Sequence, residues 1–153
     1  CKRWRAVSSL AWNDVKELDL MYTLPFNAES GRENLYNRIN EYASRVIKKS
    51  GRYLNKLRIG DPCSCRHLWL IGQHCKNLTK LELHFQFYDK YYFEVFSQLP
   101  KLKNIEIHEI NKHIRKDILP FLPSASLQEI HFFGEPNYDP KTDFPPLPKI
   151  PLL

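Results

Sequence analysis

One pattern returns five times along the chain. It reads apolar-x-x-apolar-x-apolar and lies in VKELDL ending at Leu20, YLNKLRI ending at Ile59, NLTKLEL ending at Leu83, KLKNIEI ending at Ile107 and SLQEIHF ending at Phe132. Its end positions are 39, 24, 24 and 25 residues apart. One pattern at near-equal spacing marks a repeat architecture. The last two apolar residues of each copy alternate with a polar one, as in a strand with one buried face. The apolar residue three places earlier turns the chain toward the same core.

Segments of helical period lie between the copies. Residues 32–49 set Leu35, Ile39, Ala43, Val46 and Ile47 on one stripe. Ser30 and Glu33 make a capping-box pair before it, and Gly51 is placed to end it. Residues 64–75 turn Leu68, Ile71 and Cys75 inward, and residues 89–99 do the same with Phe93, Phe96 and Leu99. A short helix over 112–119 carries Ile114, Ile118 and Leu119 and is cut off by Pro120. Strand and helix alternating at this period predict an α/β leucine-rich-repeat solenoid, with a parallel concave sheet and convex helices. The competing architecture is an ordinary α/β domain with a parallel sheet, which equal spacing disfavours. The predicted layout is an N-terminal segment 1–14, repeats over 15–133 and a proline-rich tail over 134–153.

The stretch LWLIGQHCKNLTKLEL resembles the cysteine-containing type of leucine-rich repeat, familiar in F-box proteins. The resemblance implies that Cys75 is buried where helix turns to strand and that Asn77 hydrogen-bonds neighbouring backbone. The opening CKRWRAVSSLAWNDVKELDL resembles the end of an F-box, with Trp4 in its core and Trp12 leading into the first strand. The implied upstream part is a Leu-Pro start and two helices. F-box proteins are substrate receptors of cullin–RING (SCF-type) ubiquitin ligases. The resemblance therefore implies a receptor with no catalytic residues, with Lys2, Arg3 and Arg5 facing a Skp-type adaptor and the repeats holding a protein substrate. The alternative is a stand-alone repeat module that binds another protein and has no ubiquitin role.

Composition limits the other classes. Lys and Arg number 23 against 17 Asp and Glu, a net charge of +6. That excess is mild and mixed with acids, so it is no strong nucleic-acid signal. No apolar run reaches the roughly 18–20 residues of a membrane span, and the N-terminus lacks signal-peptide order. The cysteines are Cys1, Cys63, Cys65 and Cys75, and Cys63-Ser-Cys65 is too tight for an ordinary disulfide. Reduced thiols and a cytoplasmic or nuclear location are the expectation. Zinc ligation by Cys63, Cys65 and Cys75 with His67 or His74 lacks a C-x-x-C pair. The five glycines assemble no phosphate loop, and no Gly-x-Ser-x-Gly elbow occurs. No enzyme and no cofactor are expected.

The binding surface follows from the register. Stacked repeats would align Glu17, Lys56, Lys80, Asn104 and Glu129 in one column of the concave face. A second holds Asp19, Arg58, Glu82, Glu106 and His131, and a third Met21, Gly60, His84, His108 and Phe133. Column neighbours lie about 4.8 Å apart. The candidate partner-binding residues are Lys56, Arg58, Lys80, Glu82, His84, Glu106, His108 and His131. Metal use of Glu82, Glu106, His84 and His108 is set aside, because side chains in a column run side by side and need not converge. Phe87, Tyr88, Tyr91 and Tyr92 offer either an aromatic rim or loop packing. Six of the eleven prolines lie beyond residue 134, and PPLPKIP has Pro-x-x-Pro spacing without the usual basic flank. An extended tail over the last repeat, or a disordered end, is expected there.

Overall fold

In a computed structural model, residues 11–21, 32–61, 63–84, 88–108 and 114–134 are described. The five apolar copies form five strands: β1 (Glu17–Leu20), β2 (Lys56–Gly60), β3 (Lys80–His84), β4 (Asn104–His108) and β5 (Glu129–Phe133). They make one sheet in the order β1-β2-β3-β4-β5, and every pair is parallel. Consecutive parallel strands need crossovers, and the helical segments supply them. These are α1 (Arg32–Ser50), α2 (His67–His74), a 3-10 stretch (Lys90–Gln98) and α3 (Ile114–Ile118) with its 3-10 extension Leu119–Phe121. Each packs on the next along the row.

Burial explains why the strands hold this register. Leu57, Ile59, Leu81, Leu83, Ile105 and Ile107 are buried in one core with Ala43, Ile47, Leu68, Ile71, Phe93, Phe96 and Ile118 from the crossovers. A one-residue slip would turn each strand's apolar set out to water. Leu54, Leu78, Leu102 and Leu127, the first apolar residue of four copies, are buried as well.

The joints repeat too. The Lys16 carbonyl accepts from the backbone N–H of Asn55 and Lys56, and the Asn55 carbonyl from Thr79 and Lys80. The Thr79 carbonyl accepts from Lys103 and Asn104, and that of Lys103 from Gln128 and Glu129. Tight turns Leu54 N–H to Gly51 O, Leu78 to Cys75 and Leu102 to Leu99 precede three of these joints. Cys75 ends α2 with a fully buried thiol. Asn77 donates to the Arg52 carbonyl at 2.8 Å and accepts from Lys101 Nζ at 2.6 Å, tying three successive units.

Several local expectations change. α1 ends at Ser50, immediately before Gly51, and Gly51 opens a 3-10 turn, Gly51–Tyr53. Its role is space, because a Cβ there would lie 2.9 Å from His74 Cβ and 3.0 Å from Cys75 Sγ. The segment expected as a helix over 89–99 is 3-10, which suits the three-residue spacing of its buried Phe93 and Phe96. Of the proposed aromatic rim, Tyr91 is 72% exposed. Tyr88 stacks on Phe93 and donates to Asp117, and Tyr92 packs on the core. Trp4, Ser30, Phe87 and the tail beyond Gly134 lie outside the described residues.

Candidate partner-binding face

Alternation along each strand sends every second side chain to the sheet face opposite the crossovers. The observed register aligns Glu17, Lys56, Lys80, Asn104 and Glu129 in one column. It aligns Asp19, Arg58, Glu82, Glu106 and His131 in the next. Gly60 pairs with His84, and His108 with Phe133, in the third. Gly60 is required there: a Cβ would meet the His84 carbonyl oxygen at 2.3 Å and Met21 Sδ at 2.7 Å.

The charges on this face answer one another across the strands. Lys56 Nζ lies 2.6 Å from Glu17 Oε1, and Lys80 Nζ 2.5 Å from Glu106 Oε1. Arg58 reaches Glu82 Oε1 at 2.9 Å and Asp19 Oδ2 at 3.3 Å. Asn104 donates to Glu129. The hydrogen bond to Glu106 raises Lys80 above the ordinary lysine value. Taken by column, these residues show basic and acidic groups side by side. The structure pairs them internally, which leaves the face largely neutralised and polar.

Glu82 is the hub of this network. His84 Nε2 lies 2.5 Å from its Oε1, and His108 Nε2 lies 3.4 Å from the same oxygen. Partial burial alone would raise the Glu82 carboxyl, but the His84 hydrogen bond and the Arg58 guanidinium hold it below the ordinary carboxylate value. Its side chain is only 19% exposed, shielded by these partners. The rings of His84 and His108 stack with centroids 3.6 Å apart, and His108 stacks on Phe133 at 4.7 Å. Burial and the neighbouring His84 lower His108 from the ordinary histidine value. Column neighbours therefore do converge here. The sequence shows the neighbourhood, but side-chain torsions decide the convergence. His131 is exposed on β5, 3.5 Å from Glu129.

The other candidates lie elsewhere. Lys2, Arg3 and Arg5 fall outside the described residues. His67 is buried between α1 and α2, its ring nitrogens 2.8 Å from the Ser64 carbonyl oxygen and 3.0 Å from that of Asn40. The suggested cysteine–histidine zinc set does not assemble among the described residues; the one group with metal-ligand proximity is Glu82, His84 and His108. A hollow between α1 and α2, whose lining includes Asn40, Ser44, Ser64, His67 and Leu70, had no sequence signal beyond scattered polar residues on helical faces. No described helix is long and apolar enough to cross a membrane. In comparisons with known proteins, no family model, no curated protein and no solved structure matches this chain.

Proposed function

We propose that this chain is a leucine-rich-repeat recognition module whose open sheet face binds a partner protein, and that it is the substrate-receptor part of an F-box protein acting in an SCF-type ubiquitin ligase of the cytoplasm or nucleus. The observation that carries the binding role is the rigid open face. Its columns are set by backbone hydrogen bonds, so a partner meets side chains already ordered. Repeated carbonyl joints, the buried Cys75 thiol and the Asn77 bridge support the repeat reading. The F-box reading rests on the resemblance of residues 1–20, which would set Lys2, Arg3 and Arg5 facing the adaptor.

The partner for such a face is a protein surface of mixed polarity. Exposed groups at its ends include Lys56, His131 and Phe133. Exposed charges act mainly on encounter rate, while the central stack of His84 and His108 offers flat ring contact. The test is co-purification of the full-length protein with a Skp-type adaptor and cullin. Recovery of both supports the receptor reading. Recovery of a partner protein without the adaptor selects the stand-alone module.

A further inference from the structure

The structure assigns to Glu82, His84 and His108 a new role, as a surface site for one divalent transition metal of the zinc class. This goes beyond partner recognition and stands or falls without it. The three ligand atoms, two imidazole nitrogens and a carboxylate oxygen, all lie within 4.8 Å of one another. Both histidines aim Nε2 at the same oxygen, at 2.5 and 3.4 Å. Ligand atoms of a tetrahedral zinc ion with bonds of about 2.0–2.1 Å sit about 3.3 Å apart. The His108 separation already matches. The His84 separation must open by under one ångström, about what an ion entering between them would impose.

The backbone holds the set. Glu82 and His84 are alternate residues of β3, and His108 follows on the adjacent β4, whose register with β3 is fixed through Leu83 and Ile107. Sites on strands are held more tightly than sites on loops. The stacked rings, 15° from parallel, must splay for both lone pairs to reach one ion. Both side chains reach the surface, at 17% and 34% exposure, which leaves room for that turn. Arg58 competes for the Glu82 oxygen, but it already reaches Asp19 and retains that partner when displaced. Two imidazoles with one carboxylate suit zinc, cobalt or nickel; calcium and magnesium prefer all-oxygen shells. The remaining position, open toward solvent, would take water or a donor from a bound protein.

The test is titration of the purified chain with Co2+, followed by competition with Zn2+. We expect one saturable equivalent with ligand-field bands of four-coordinate cobalt and no thiolate charge-transfer band. Losing even an outer-shell partner costs about 10–100-fold in affinity, so H84Q and H108Q should each weaken binding by about 100-fold or more. H74Q, on α2 away from the face, should bind as the parent does. In the wild-type protein, long-range 1H–15N spectra with Zn2+ should show two histidines ligated through Nε2, a readout independent of any variant's folding. No saturable uptake, a thiolate band that persists in H84Q and H108Q, or ligation by other histidines would overturn the assignment.

Discussion

Arg58 Nε donates to Glu82 Oε1 at 2.9 Å, from one repeat to the next. The two residues are 24 apart in sequence and directly opposite in register. The same cross-strand logic pairs Lys56 with Glu17 and Lys80 with Glu106. Ion pairs at a surface such as these add little to stability. Their main effect is on what the face presents: a partner meets charges that are already answered. Stability comes from the other side of the sheet, where the apolar residues of the repeats share one core.

Packing between α2 and the Lys90–Gln98 stretch depends on Gly72. A Cβ at that position would lie 1.9 Å from Val95 Cγ2. Gly72→Ala should therefore destabilise the fold by about 1–3 kcal/mol, the usual cost of overpacking. Val95→Ala in the same background should recover part of that loss. Urea unfolding of the two variants checks both statements, and a neutral Gly72→Ala would show that the two elements separate freely.

Cys75 is fully buried, and burial pushes its thiol up to about 12. Cys63 is pushed up to about 11, again mainly by burial. In the unfolded chain both thiols ionise near the ordinary value, so the unfolded state loses protons first as pH rises. The stability linked to these thiols is fully present below about pH 9 and is lost as pH rises from there to about 11 for Cys63 and about 12 for Cys75. Chemical unfolding at pH 8 and pH 10 should show this loss, and Cys75→Ala should reduce the pH slope. Native labelling of Cys75 at pH 9 should be slow until denaturant is added. Rapid labelling would contradict its burial.

Asn77 bridges the Arg52 carbonyl and Lys101 Nζ. Asn77→Ala should cost about 1 kcal/mol, the net value of a hydrogen bond and the acceptor it leaves. Asn77→Asp keeps an acceptor for Lys101 and loses the donor to Arg52. It should fall between the wild type and the alanine variant in thermal melts. Equal stability of all three would remove Asn77 from the joint.

The strands were legible in the sequence because burial leaves a two-residue period, and Leu81 with Leu83 or Ile105 with Ile107 can face the core in only one register. The columns of the open face follow from that register at once. The 3-10 character of Lys90–Gln98 was half visible in the three-residue spacing of Phe93 and Phe96, a period shared by the 3-10 helix and one face of an α-helix. Gly72 showed nothing, because the Val95 side chain that forbids a larger residue comes from another crossover. Convergence of His84 and His108 on Glu82 was equally hidden. Register places their Cα atoms, while χ angles and the space left by Gly60 decide where the rings go.

Partner binding through the open face can be checked by site-specific photo-cross-linking, with a benzophenone amino acid placed at Phe133 or at Lys48 of the protein in cells. Phe133 is an exposed ring at the end of the His84–His108 stack, and Lys48 is exposed on α1 at the opposite side of the sheet. One partner protein should cross-link from position 133 and be absent from position 48. A partner captured from position 48 and absent from position 133 would contradict binding through the open face.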